Sequence, residues 1–186
     1  AGHFVYGHIE EDVFAVCCTY SSKEQMLNYL ESLKEYVKAY NRNFDIVPIF
    51  GLYYLDDLTL PIIEMLDRAT LAAKTCKGSY VNTIGIYDPE MSRKLEQEQE
   101  IVNQMVMALD QKQFFAYFQP KYDMKTNLPA GAEALARWQH PTKGFIPPSL
   151  FIPIFEKNGF IAKLDYYIWE TVCKLLQSWI RRGLNP

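Results

Sequence analysis

The run Gly131-Ala-Glu-Ala-Leu-Ala-Arg-Trp138 constrains this chain more than any other stretch. A turn-rich segment, Asp123–Asn127, precedes it and Pro141 follows it, so Ala130–Trp138 reads as a strand. Alternate strand residues share a face. Glu133, Leu135 and Arg137 therefore point one way, and Ala134, Ala136 and Trp138 the other. Glu133 and Arg137 lie roughly 13 Å apart along such a strand, at a rise of about 3.3 Å per residue. That spacing suits a metal at one end and a phosphate oxygen further along. Mg²⁺ and Mn²⁺ favour carboxylate ligands, and Arg grips phosphate with a planar fork. The same spacing also describes a solvated pair, or two unrelated surface groups.

Strands and helices alternate around this run. Residues 13–20 form a short apolar run that reads as a buried strand. Ser21 and Glu24 then make a capping-box pattern. Met26, Leu30, Leu33, Val37 and Tyr40 follow as one helical face, which Asn41-Arg42-Asn43 closes. Residues 44–54 read as strand, with Pro48 and Gly51 marking an edge or a bulge. Ile62, Met65, Leu66, Ala69 and Ala73 give a second helical face, preceded by Pro61 and ended by Gly78. Tyr80–Tyr87 reads as strand. Asp88-Pro89 starts a helix that joins two modules, with the boundary in its charged first half. Residues 114–122 are aromatic and β-prone. Residues 141–148 read as loop, and Ser149 as the cap of a helix over 150–158 closed by Gly159. Leu164–Arg182 reads as a long amphipathic helix ended by Gly183.

At 186 residues the chain is long enough for one domain or two small ones, and 49% of it is apolar. The net charge of −3 comes with no basic block, so nothing favours a nucleic-acid polymer as partner, and none is expected. Four separated or adjacent cysteines, with no CxxC spacing, predict reduced thiols in a cytoplasmic protein. No apolar run approaches the roughly 18 residues that span a bilayer. No signal-peptide pattern is present, and residue 1 is not Met.

Phe118-Gln119-Pro120, the run Gly131–Trp138, His140-Pro141, Phe151-Ile-Pro-Ile-Phe-Glu156 with Gly159, and Trp169-Glu170 together resemble the opening of the EAL family, from about residue 95 to the end. Family members are TIM-type barrels that hydrolyse cyclic di-GMP with Mg²⁺ or Mn²⁺. The resemblance implies that Glu133 is a catalytic metal ligand, that Arg137 holds a substrate phosphate, and that Gln119 and Leu135 contact the nucleotide. A complete barrel needs at least about 200 residues. The remaining ligands of the family lie on later strands, so the chain as it stands is expected to be inactive. Open sheet edges predict disorder, swapping or a homodimer.

His8-Ile-Glu10-Glu11-Asp12-Val13-Phe14, Leu66-Asp67-Arg-Ala-Thr-Leu-Ala-Ala-Lys74 and Tyr87-Asp88 resemble a GGDEF domain in its C-terminal part. That family joins two GTP molecules on a carboxylate-bound metal pair. Glu10 and Glu11 stand where it has glycines, and two carboxylates there would clash with the ligand and repel its phosphates. Asp12 matches a metal ligand, although a polar residue closing a hairpin turn is the preferred reading. Lys74 matches a phosphate contact but reads better as a solvated helix residue. The tyrosine pairs 53–54 and 166–167 read as half-buried packing.

The expectation is an α+β chain. Residues 1–88 form a degenerate GGDEF-like domain with an antiparallel sheet. Residues 89–186 hold a linking helix and the first strand and helix units of an EAL barrel. The resemblances imply a bacterial cyclic di-GMP phosphodiesterase with an inactive regulatory cyclase domain. The alternative is a non-catalytic module that senses cyclic di-GMP or GTP, or holds partners. An unrelated α+β domain would be favoured by the absence of a strand–turn–strand around Asp12.

Overall fold

A computed structural model describes residues 4–40 and 46–184. They fall into two compact units, Ala1–Arg93 and Lys94–Pro186.

In the first unit, β1 (Phe4–Glu10) and β2 (Val13–Cys18) form an antiparallel hairpin, with His8 opposite Phe14. The strand–turn–strand around Asp12 is therefore present, and the unrelated-domain reading loses its ground. The strand is not buried as the apolar run predicts: Phe14 is 69% exposed and Val16 63%. An apolar run specifies extended backbone, but burial needs a covering layer, and this sheet has only two strands. Glu11 holds a left-handed φ of 42° in the turn, a conformation that costs a non-glycine residue about 1 kcal/mol. Glu11→Gly should raise the stability of this unit by about 0.5 kcal/mol, net of the added freedom of the unfolded chain. An unchanged or lower urea midpoint would contradict that.

Helix α1 (Lys23–Tyr40) starts one residue later than a Ser21 cap implies. The Gln25 amide donates to Ser22 Oγ at 3.1 Å, so the box is Ser22-x-x-Gln25 rather than Ser21 with Glu24. Leu30 is buried, Met26, Leu33 and Val37 are half-buried, and Tyr40 is exposed. The predicted closing residues 41–43 lie outside the described ones, as do residues 44 and 45 of the predicted strand.

Strand β3 (Phe50–Leu52), helix α2 (Ile62–Thr75) and strand β4 (Ile84–Ile86) form a right-sized crossover unit with β3 and β4 parallel. Both strands are shorter than predicted, and the expected all-antiparallel sheet is corrected here to a hairpin plus a parallel pair. Gly51 lies on an edge strand of a two-stranded sheet and marks no bulge. It sits mid-strand opposite Gly85, pressed against α2. On α2, Met65, Leu66, Ala69 and Ala73 are half-buried and Ala72 is fully buried, whereas Ile62 points out at 84% exposure.

Helix α3 (Pro89–Asp110) begins as its sequence predicts, with Asp88 Oδ1 accepting the Glu90 amide at 2.8 Å. In the second unit β5 (Phe114–Tyr122), β6 (Pro129–His140) and β7 (Gly144–Ile146) form an antiparallel sheet in that order. The β5–β6 connection is an Asx turn: Asp123 Oδ1 accepts the amides of Lys125 and Thr126 at 2.7 and 2.9 Å. Those two amides, Thr126 first, hold the Asp123 carboxyl below the usual range.

The predicted loop 141–148 contains β7, which pairs with Trp138–His140. Helix α4 (Pro148–Asn158) has Pro147 rather than Ser149 at its cap, because Pro148 presets the first helical turn. Gly159 ends it at φ 77°, as predicted. Helix α5 (Ile161–Arg181) starts three residues before the predicted Leu164.

The core of this unit gathers Phe114, Trp138, Phe151, Phe155, Leu164 and Ile168. Phe114 and Trp138 ring centroids lie 5.1 Å apart, and Phe151 and Phe155 5.4 Å. The result is the α+β chain of partial sheets that the resemblances predict. Among the described residues, no helix is long and apolar enough to cross a membrane.

Candidate functional site

The β5–β6 register decides what the predicted site residues can do together. Gln119 lies opposite Glu133, Tyr117 opposite Leu135, and Phe115 opposite Arg137. Residues directly opposite on an antiparallel ladder share a face, with Cβ atoms about 5 Å apart. Gln119, Glu133, Leu135 and Arg137 are thus brought to one face of one ribbon. The other face carries Phe114, Ala116, Ala134, Ala136 and Trp138 into the core. The core aromatics fix the ribbon, and the ribbon fixes the polar groups.

The Glu133 side chain is half exposed, at 53%. Its charged neighbour is Lys121, whose Nζ lies 3.1 Å from Glu133 Oε2. Sequence reading missed Lys121. It stands opposite Gly131 and becomes visible only once the hairpin register is set. The Arg137 guanidinium lies 5.7 Å from the Tyr117 ring centre, and its Nη1 donates to the Ala136 carbonyl at 2.9 Å. Tyr117 is 59% exposed and presents an aromatic surface on the same face.

β7 pairs only with the end of β6, so Ala132–Ala136 has β5 on one side and a cleft on the other. The cleft measures about 530 Å³ and is lined by this stretch of β6, Lys121, Ile152 of α4, and Leu164, Asp165, Ile168, Trp169, Val172 and Cys173 of α5. Asp165 was not singled out by the sequence, and Trp169 only as part of the family motif Trp169-Glu170, with no place in a cleft. Helical periodicity alone gives them a face, and the face matters only beside β6.

These residues do not make a divalent-metal site by themselves. Glu133 supplies one carboxylate and its close charged partner is a cation. Among the described residues, no three His, Cys, Asp or Glu side chains converge as a cation cage. A hard divalent ion takes about six oxygen ligands.

In the first unit, Asp12 sits in the β1–β2 turn and Lys74 is exposed in the last turn of α2. The predicted tyrosine packing holds for Tyr54 and Tyr167, whereas Tyr166 is 69% exposed. Tyr53 does more than pack. Its hydroxyl donates to Asp56 Oδ1 at 2.6 Å and accepts from Arg68 Nη1 at 2.9 Å. The Tyr53 hydrogen bond holds the Asp56 carboxyl below its ordinary range. Arg68 also bonds Glu64 and lies over the rings of Tyr53 and Tyr87, so this network ties α2 to the ends of β3 and β4.

Residues 102–186 match the family model described as EAL domain. Over 124 residues the chain is 30% identical to an uncharacterised protein of Mycobacterium tuberculosis, a match covering 67% of this chain and 19% of that protein. Over 120 residues it is 27% identical to the bifunctional diguanylate cyclase/cyclic di-GMP phosphodiesterase MucR of Pseudomonas aeruginosa, covering 64% of this chain and 18% of that one. Both matches are longer than the segment 102–186, so the likeness reaches into the residues before it. The chain spans about a fifth of the length of these curated relatives. A solved structure of the MucR phosphodiesterase in complex with c-di-GMP is 31% identical, with 45% of this chain and 34% of that chain covered and a TM-score of 0.42.

Proposed function

We propose that this chain, whose residues 102–186 match the EAL-domain family model, is part of a bacterial cyclic di-GMP signalling protein and carries one nucleotide-contacting wall of an EAL domain. The observation that supports this is the meeting of Gln119, Glu133, Leu135 and Arg137 on one exposed ribbon face. Arg137 would hold a phosphate oxygen through its planar fork. Gln119 and Leu135 would contact the nucleotide, and Tyr117 widens the apolar part of that wall. Glu133 is the carboxylate that would join a Mg²⁺ or Mn²⁺ ion once other chain segments add donors. In the chain alone we assign binding rather than turnover, since one carboxylate paired with a lysine holds no catalytic ion.

Residues 1–88 act in this reading as a degenerate GGDEF-like domain with a regulatory role, and residues 89–186 as the EAL part, in a cytoplasmic protein. Glu10 ends β1 and Glu11 sits in the hairpin turn, where the cyclase family keeps glycines, and their carboxylates repel a triphosphate. The paired state of Glu133 favours a second reading for the chain itself, a module that binds cyclic di-GMP without cleaving it.

The test is cyclic di-GMP turnover, read by chromatography with Mg²⁺ or Mn²⁺, on this chain beside one extended to a full barrel. Turnover is expected only in the extended chain, and Glu133→Ala should abolish it. Turnover in neither leaves the binding module. Turnover by the present chain overturns the inactivity assigned to it.

A further inference from the structure

Part of the β6 backbone has no strand beside it among the described residues. β7 pairs with Trp138, Gln139 and His140 and goes no further along β6. On that side the stretch Ala132–Ala136 borders the cleft, and all five of its residues line it. Successive strand residues point to opposite faces, so a cleft lined by every one of them meets the strand edge-on. The Gln139 amide donates to the Gln113 carbonyl at 2.9 Å, on the β5 side. Backbone groups of an antiparallel strand alternate sides. Those of Glu133, Leu135 and Arg137 therefore also face β5, and those of Ala132, Ala134 and Ala136 face the cleft. The β5–β6 register runs without a shift from Phe114 to Lys121, so no bulge guards this edge, and Pro129 and Pro141 lie outside it. An edge of this kind is a template for another strand. The floor of the cleft is apolar, with Leu164, Ile168 and Val172 of α5.

We propose that this edge pairs antiparallel with the same edge of a second copy of the chain, about a twofold axis at Leu135. The charges select the register. With Leu135 opposite Leu135, Glu133 of each copy stands directly opposite Arg137 of the other, and symmetry repeats the pair. In the same register Ala134 of one copy meets Ala136 of the other. Both residues present their backbone groups to the edge, so each such pair exchanges both of its hydrogen bonds. Glu133 and Arg137 then fall at the closer, non-hydrogen-bonded positions, where opposite charges stabilise a sheet. Moving the axis to Ala134 puts Glu133 against Leu135. Moving it to Ala136 requires Trp138 to pair with Ala134, and β7 already holds Trp138. An axis normal to the sheet keeps the inner faces on one side, so the small Ala134 and Ala136 of the added strand lie over α5. Lys121 approaches Glu133 from β5, on the opposite flank, and a carboxylate has lone pairs for both cations. The contact is short and sits at the small end of interface sizes, so a dissociation constant on the order of 10–100 μM is expected. The pairing needs neither nucleotide nor metal and is independent of the function proposed for the same ribbon.

The experiment is sedimentation velocity on the full chain, at concentrations spanning that constant. The parent chain should pass from monomer to dimer and stop there, because a twofold contact closes. Glu133→Arg sets like charges opposite one another at both symmetric positions, and so does Arg137→Glu. Each variant alone should dimerise about tenfold more weakly, or not at all. An equimolar mixture of the two restores both opposite-charge pairs in a mixed dimer and should recover at least the parent affinity. Amide exchange at Ala134 and Ala136 should slow at high concentration, whereas exchange at Leu135, already paired with β5, should not change. A parent chain that stays monomeric overturns the proposal and leaves the edge to a strand of different sequence. Growth beyond a dimer overturns it as well. So do single variants that dimerise like the parent, or a mixture that stays monomeric while both variants keep the parent circular dichroism. Should either variant lose its fold, exchange in the parent decides: rates at Ala134 and Ala136 that ignore concentration overturn the pairing.

Discussion

Trp138→Ala should unfold the second unit or strip it of fixed packing. The indole is fully buried and contacts Phe114, Phe151 and Phe155, at centroid distances of 5.1, 5.7 and 6.2 Å. Its Nε1 donates to Gln113 Oε1 at 3.0 Å, and Gln113 is itself buried. Truncation opens a cavity among three aromatic rings and leaves that acceptor without its donor. Large-to-small changes of this kind cost about 3–5 kcal/mol, a large share of the 5–15 kcal/mol that holds a typical domain. Urea unfolding followed by far-UV circular dichroism should show the transition moved to much lower denaturant. Trp169→Ala in the same unit is the reference, because that indole is 60% exposed and its removal should stay within about 0.5 kcal/mol. Equal midpoints for the two variants would refute the packing account. The consequence reaches the site, since Trp138 and Arg137 are adjacent on one strand and face opposite ways. Loosening the packed face removes what aligns Gln119, Glu133 and Arg137 on the other.

That alternation is also why the second unit was legible in sequence. A period of two over Gly131–Trp138, an Asx-type turn at Asp123–Asn127 and a glycine at 159 each act through a short-range rule, and β6, the turn and the end of α4 lie where those rules put them. Lys121 was not legible, because its role depends on which residue of another strand stands opposite it. The same limit explains β2. Its apolar residues specify a strand, but burial is decided by what lies over the sheet, which no local pattern records. Ser22 in place of Ser21 is a smaller case. Two adjacent serines each begin an S-x-x-[E/Q] box, and only the helix phase chooses between them.

Gly51→Ala should be the most damaging single-methyl change in the first unit. A Cβ built at Gly51 would lie 1.9 Å from the Ala69 carbonyl oxygen, 2.7 Å from the Ala73 nitrogen and 2.8 Å from the Ala73 Cβ. At Gly85, its partner across the parallel pair, a Cβ would meet the Ala72 carbonyl oxygen at 2.1 Å. Two facing glycines thus open a groove in the strand pair, and α2 sinks into it with its smallest residues, Ala69, Ala72 and Ala73. The atoms in the way are backbone or an alanine Cβ, so no rotamer change relieves the clash. The helix must back away, carrying Arg68 from its hydrogen bond to Tyr53. Overpacking a well-filled interior costs about 1–3 kcal/mol when side chains can shift, and more is expected where only a whole helix can move. Gly7→Ala is the matched control, since a Cβ there meets nothing within 4 Å. Amide exchange at residues 50–52 and 84–86 should accelerate strongly in Gly51→Ala and stay at the parent rate in Gly7→Ala. Equal protection in both would mean that α2 does not sit in the groove. A strand-interior glycine in sequence signals either a bulge or a close backbone approach. Gly51 is the second kind, and the small residues four apart at 69 and 73 are the part of the sequence that distinguishes the two.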